Sequence, residues 1–116
     1  MKMIVDGTNM RMIRGDSESI TIRCKNPDGS LHPFERGDTV YFTVKWSPNA
    51  DEKLMQKVVT DFGGKGEAVI EITPEDTKAL DFGAYKYDVQ LTYASGRVTT
   101  IIPPSSFRVM EEITDE

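Results

Sequence analysis

The sequence contains one cysteine, Cys24, and one histidine, His32, two side-chain types that often act as a nucleophile and a general base. His32 lies in "SLHPF", where no cysteine or carboxylate stands at a spacing typical of a metal site. Cys24 continues the apolar face of an alternating segment, which favours a small buried hydrophobe over a nucleophile, and no histidine is paired with it. Neither residue is therefore predicted to be catalytic.

The acidic clusters and one glycine-flanked lysine are the remaining candidates for binding chemistry. The acidic clusters at 51–52, 75–76 and 111–116 lack the alternating oxygen-ligand spacing of a calcium loop, which favours a solvated surface for each. "GGKG" at 63–66 is not a phosphate loop, because the spacing before the lysine is short and no helix is predicted after it. The sequence thus predicts a protein that is not an enzyme, with no catalytic, metal-binding or cofactor-binding residues and no cofactor.

Arg-Gly-Asp occurs twice, in "RGDSESITIR" at 14–23 and in "RGDTVYFTVK" at 36–45. Some secreted proteins offer this tripeptide to cell-surface receptors, so adhesion is one interpretation. Each copy directly precedes a strand-like segment, however, and glycine and aspartate are typical turn residues for backbone and hydrogen-bonding reasons. The favoured interpretation is two structural turns, formed by Gly15 and Asp16 and by Gly37 and Asp38. The adhesive loop stays as the alternative.

Charge and composition exclude several classes of partner. The chain has 14 Lys and Arg against 19 Asp and Glu, a net charge of −5, which is the wrong sign for neutralising phosphates. No segment has the apolar length of a signal peptide or a membrane span. The single cysteine gives no sign of an oxidising compartment. We expect no nucleic acid, no membrane, and synthesis in the cytoplasm.

Strands dominate the predicted secondary structure. Apolar and polar residues alternate at 20–24, 40–46 and 85–93, with the period of half-buried strands. Shorter candidate strands lie at 10–13, 54–59, 68–72, 98–102 and 107–110. Turn signals such as "NPDG" and "ASGR" separate the strands, and the one helical signal is "TPEDTKAL", with Thr73 as the expected N-cap.

This pattern predicts an all-β fold, a single immunoglobulin-like antiparallel β-sandwich of about seven to eight strands. Trp46 and Tyr85 stand where such sandwiches keep a core tryptophan and a corner tyrosine. One domain is predicted over 1–116, with its core at about 10–113 and flexible ends at 1–9 and 114–116. The expected core residues are Ile20, Ile22, Phe42, Val44, Trp46, Ile70, Tyr87, Val89 and Leu91.

The order of these pieces resembles a known family. The segments "RGDS", "NPDGSLHPFERGDTVYFTVK", "GEAVIEITPEDTKALDFGAYKYDVQLTYASGRVTTI" and "FRVMEEIT" are similar to the N-terminal immunoglobulin-like domain of phage baseplate upper proteins and to related small prophage tail-associated proteins. The resemblance covers about residues 10–113. Its matching positions include Thr77, Leu80, Gly83, Tyr85, Tyr87, Asp88 and Leu91. In the baseplate proteins the domain anchors a longer chain, which this sequence does not contain.

The resemblance implies a non-catalytic structural or adaptor protein of a phage or prophage tail or baseplate, found in the virion after synthesis. Its partners would be other tail or baseplate proteins, with a homo-oligomer as a further expectation. The alternative is a stand-alone cell-surface or secreted immunoglobulin-like module that binds a receptor or a carbohydrate. The predicted protein interface comprises Tyr41, Thr43, Lys45, Met55 and Val59, and we expect Met55 and Val59 to be exposed on an edge strand.

Overall fold

The computed structural model describes residues 4–6, as backbone only, and residues 8–111. The strands are β1 (Ile4–Asp6), β2 (Asn9–Ile13), β3 (Glu18–Ile22), β4 (Thr39–Lys45), β5 (Met55–Val59), β6 (Ala68–Ile72), β7 (Gly83–Thr92) and β8 (Val98–Met110). Two short helices interrupt them, a 3-10 helix at Gly63–Lys65 and an α-helix, α1, at Pro74–Lys78. The predicted all-β class is confirmed.

The predicted flexible ends lie partly outside the described residues, which exclude 1–3, 7 and 112–116. Within the described part of the first segment, Ile4–Asp6 forms β1 and pairs antiparallel with β2. The Thr8 hydroxyl lies 2.7 Å from that of Ser105, and the carbonyl of Thr8 accepts a hydrogen bond from the Tyr87 hydroxyl. The segment just before β2 is therefore joined to β7 and β8.

The eight strands of the described residues form two sheets. One has six strands in the order β1-β2-β8-β7-β4-β5, and the other pairs β3 with β6. The β2–β8 pair is parallel, whereas the other pairs are antiparallel. Strands that are distant in sequence, β4 and β7, are neighbours in the centre of the large sheet, so this sheet depends on long-range pairing.

Alternation along the strands builds one core from both sheets. In β4, Val40, Phe42 and Val44 are fully buried, and the residues between them face outward. Phe42 packs against Tyr87 and Phe107, with ring centroids 5.2 and 6.2 Å away. The small sheet contributes Ile20, Ile22, Ala68, Ile70 and Ile72 to the same cluster. All the predicted core residues except Trp46 are buried.

Trp46 corrects the predicted core, because its side chain is 64% exposed. The last residue of β4 is Lys45, so Trp46 keeps the inward parity of the strand but lies beyond its end, where the core no longer covers it. Its ring meets Tyr85 edge to face at 5.4 Å between centroids. Alternation predicted the side of the sheet correctly and could not show where the core ends.

The last strand is longer than predicted. The segments 98–102 and 107–110, predicted as two strands, form the single thirteen-residue strand β8. The register shifts between Tyr87 and Val89, whose partners are Ser105 and Ile102, so Pro103 and Pro104 fall in a bulge opposite Asp88. Proline lacks the amide that a regular ladder needs, and a bulge tolerates that loss.

Both Arg-Gly-Asp copies lie in turns, as the turn interpretation expects. Gly15 and Gly37 have φ of 85° and 96°, values that side-chain-bearing residues rarely adopt. The backbone amides of Asp16 and Asp38 close the turns on the carbonyls of Ile13 and Glu35, at 3.2 and 3.0 Å. Each tripeptide therefore turns the chain into the strand that follows it.

Helix α1 begins with the predicted cap. The Thr73 backbone amide donates to Asp76 Oδ2 at 2.7 Å, and the Thr73 side chain completes a capping box. The same carboxylate lies 2.8 Å from Lys57 Nζ on β5. Burial raises the pKa of Asp76, but the Lys57 contact and the Thr73 bonds outweigh it, so the pKa lies below the ordinary 3.8. Asp76 thus joins α1 to the edge of the large sheet.

Asp76→Ala should lower the free energy of unfolding by about 1 kcal/mol at neutral pH, through loss of the cap and of the Lys57 contact. Because the folded-state pKa of Asp76 is depressed, the part of the stability difference between wild type and variant that depends on the charge is complete above the ordinary pKa. It is lost as the pH falls through the folded-state pKa. Denaturant titrations from pH 7 to pH 2 measure it. The control is Glu75→Ala, at the neighbouring exposed position of α1. Its stability difference from the wild type should not shrink in this way as the pH falls. A pH-independent gap for Asp76→Ala would contradict this account.

Candidate functional site

The outward face of the six-stranded sheet carries a cleft of about 360 Å³. Tyr41, Thr43 and Lys45 from β4 line it, and these are three of the five residues predicted to form a protein interface. Their position follows from alternation: their β4 neighbours are buried in the core, so these three side chains face outward and are half-buried.

Strand β7 supplies the opposite wall of the cleft. Register pairs Tyr41 with Gln90, Thr43 with Asp88 and Lys45 with Lys86, which places each pair side by side on the outward face. Gln90, Asp88 and Lys86 all line the cleft. Sequence reasoning placed this face of β7 outward but did not connect it with β4, because the pairing joins segments more than forty residues apart.

Strand β5 and the connection before it close the other side. Gln56 donates from Nε2 to Thr43 Oγ1 at 3.1 Å, and Lys53 reaches the cleft from the connection between β4 and β5. Pro48 lines the rim. Gln56 and Lys53 were not among the predicted interface residues, since no sequence pattern linked them to Tyr41.

The expected exposure of Met55 is wrong. Met55 is 5% exposed, because its register partner is the buried Val44 and both side chains point into the core. Val59 is half-buried and packs against the core. The exposed apolar residue of this strand is Val58, 52% exposed, which pairs with Tyr41 on the outward face. The run "MQKVV" contains two adjacent valines, so its sequence does not show which of them faces outward. The register with β4 determines this.

The cleft is rich in positive charge although the protein is acidic. Lys45, Lys53 and Lys86 line it together with one carboxylate, Asp88. Burial raises the pKa of Asp88, and the nearby charge of Lys45 counteracts part of that increase. Among the described residues, the ion pairs of Arg23 with Glu67 and of Lys57 with Asp76 lie outside the cleft.

The side chains that line the cleft can form hydrogen bonds and charge pairs with a bound group. The functional groups of the cleft are ammonium, amide, hydroxyl and phenol groups around a single carboxylate. Cys24 and His32 lie outside the cleft. Burial raises the pKa of the Cys24 thiol, an effect that the Lys25 backbone amide partly offsets, so the reactive thiolate is disfavoured. No group of three or more metal-ligating side chains occurs in the part of the chain that the structure describes.

A second surface feature lies at the end of the sheet where β4 finishes and β7 begins. Trp46 and Phe82 are both exposed there, 64% and 45% respectively. The Arg14 guanidinium lies 4.5 Å from the centre of the Phe82 ring. Sequence reasoning missed this feature, because Trp46 was assigned to the core. Exposed aromatic residues with a stacked arginine are common in protein interfaces.

No helix among the described residues is long and apolar enough to cross a membrane. A scan against models of known protein families finds no match for this chain, and a search of curated proteins finds no similar sequence.

Proposed function

We propose that this protein is a non-catalytic adaptor that binds another protein through the outward face of its large sheet. The observation that carries the proposal is the cleft itself, where Tyr41, Thr43 and Lys45 meet polar side chains of β5 and β7. Tyrosine is favoured in interface cores, and a concave face with convergent polar groups is typical of binding sites. The absence of a nucleophile–base pair from the cleft lining favours binding over catalysis.

The order of the strands supports an immunoglobulin-like sandwich. In such folds the second and fifth strands pair in one sheet, and the third, sixth and seventh lie together in the other. The same order appears in this protein when β2 is counted as the first strand. Here β3 pairs with β6, while β4, β7 and β8 are consecutive neighbours, with β5 added at the β4 edge. The Tyr85 hydroxyl donates to the carbonyl of Asp81, four residues upstream, at 2.7 Å. This bond supports the proposed fold, because the corner tyrosine of such sandwiches bonds back to the backbone a few residues upstream.

The resemblance to baseplate domains gives the proposed setting, a phage or prophage tail in which the partner is another tail or baseplate protein. The domain would work in copies arranged with the symmetry of the particle. The edge strand β5 and the outward face beside it are the surfaces that such assembly would use, because β5 pairs on one side only. In this setting the protein would be made in the cytoplasm and then incorporated into the virion.

The experiment is co-purification with tail proteins encoded by neighbouring genes. The double variant Tyr41→Ser, Val58→Asp should retain the wild-type melting temperature, since both side chains face outward. It should capture at least about tenfold less of the partner than the wild type does. Val69→Asp, at an exposed position of the small sheet, is the control and should capture normally. Full capture by the folded double variant would rule out this face. Capture of no tail protein by the wild type would count against the adaptor function.

A further inference from the structure

We infer that the cleft on the outward face takes an extended, carboxylate-rich segment of the partner protein. The inference rests on the proposed adaptor function and adds the chemistry of the partner. It starts from one cross-strand pair, Lys45 on β4 and Lys86 on β7, which are register partners on the same face. Like charges directly opposite each other in a sheet are unfavourable.

The fold compensates the charge of these lysines only in part, through the electrostatic interaction of Lys45 with the carboxylate of Asp88. Among the described residues, no carboxylate lies within salt-bridge distance of Lys45, Lys53 or Lys86. Lys57, one strand away, shows the contrast, because its ammonium lies 2.8 Å from Asp76. The protein has more acidic than basic residues in total, with a net charge of −5. Three lysines around one cleft are therefore a local feature that an anionic partner would complete.

The other lining residues favour a polypeptide over a polyphosphate. Thr43, Gln56 and Gln90 provide hydroxyl and amide groups that can pair with peptide groups and carboxylates, and Tyr41 provides an aromatic surface beside them. Asp88 lines the same cleft, so carboxylates that alternate with neutral side chains are favoured over a continuous chain of phosphates, which would bring more negative charge beside it.

The size and shape of the cleft set the form of the segment. A volume of about 360 Å³ is at the lower end of ligand-binding clefts, enough for a few side chains and too small for a folded domain. The lysines enter from three different segments, β4, β7 and the connection before β5. An extended strand that places alternate carboxylates toward the cleft matches that spread, because successive side chains of a strand face opposite sides.

The test uses a fluorescein-labelled synthetic peptide in which glutamate alternates with serine, and a matched peptide in which glutamine replaces each glutamate. Fluorescence anisotropy at low ionic strength should show binding of the glutamate peptide and at least about tenfold weaker binding of the glutamine peptide. The double variant Lys45→Gln, Lys86→Gln should weaken binding of the glutamate peptide by about tenfold. Its melting temperature should not fall, because the change removes a like-charge pair.

The charge-matched control is Lys25→Gln, Lys65→Gln, which alters the net charge equally at exposed positions away from the cleft. It should bind the glutamate peptide as the wild type does. Equal weakening by both double variants, equal binding of both peptides, or tighter binding of a single-stranded oligonucleotide of similar charge would overturn the inference. If the peptide fails to bind while Tyr41→Ser, Val58→Asp abolishes capture of tail proteins, the adaptor function holds and only the acidic partner is wrong.

Discussion

Phe42→Ala should lower the free energy of unfolding by about 3–5 kcal/mol, the range for a large aromatic residue removed from a packed core. Phe42 is fully buried in the central strand β4. Its ring contacts those of Tyr87 and Phe107, so the substitution leaves a cavity between β4, β7 and β8 and removes two aromatic contacts. Denaturant unfolding at 25 °C measures the loss as a lower midpoint at unchanged slope.

Trp46→Ala is the matched control, four residues along the same segment of chain. The tryptophan is the larger side chain, but it is 64% exposed and contacts one ring of the core edge-on. Truncation of Trp46 to alanine should lower the free energy of unfolding by less than about 1 kcal/mol, because an exposed side chain with one aromatic contact contributes little to stability. A loss above about 3 kcal/mol for Trp46, or below about 1 kcal/mol for Phe42, would contradict the placement of Phe42 inside the core and Trp46 outside it.

Local patterns were sufficient for most of the strands. Alternation in segments such as 40–45 and 85–91 correctly separated core side chains from outward ones, because a half-buried strand constrains every second residue. The helix cap at Thr73 was equally local, since its box closes within three residues on Asp76. Features whose cause lies within about ten residues of chain were therefore predictable from sequence.

Features set by pairing were not predictable in the same way. The parity of β5 depends on its register with β4, so Met55 was expected outside and lies inside. The continuity of β8 through Pro103 and Pro104 depends on the bulge opposite Asp88. The basic cleft is the clearest case, because the sequence placed Lys45 in an interface but did not show that the sheet brings Lys53 and Lys86 to the same cleft.

The two Arg-Gly-Asp copies also differ in the long-range contacts that stabilise their turns. In the first copy, the Gly15 amide donates to Thr77 Oγ1 at 2.8 Å, and Thr77 is fully buried. In the second copy, the aspartate itself is the buried group, because Asp38 is 5% exposed. Identical tripeptides thus hold their turns by different means, one through a threonine from α1 and the other through its own carboxylate.

Asp38→Ala should lower the free energy of unfolding by roughly 2–4 kcal/mol, because it removes a charged acceptor from two backbone amides. Asp38 Oδ2 accepts from the amide of Glu35 at 2.9 Å and Oδ1 from that of Ala94 at 3.3 Å. The second bond joins the turn before β4 to the hairpin between β7 and β8, across 56 residues of chain. Both amides lose this acceptor in the alanine variant, and thermal or denaturant unfolding measures the cost.

Asp16→Ala tests the same tripeptide without the buried carboxylate and should cost less than about 1 kcal/mol, since the backbone bond from its amide to Ile13 survives the change. Asp38→Asn should fall between wild type and Asp38→Ala, because an amide side chain retains one acceptor oxygen for two donors. Equal losses at Asp16 and Asp38 would remove the distinction between the copies. Cell adhesion that depends on Asp38 in a folded protein would contradict its structural function, because a receptor would have to reach a buried carboxylate that already holds two backbone amides.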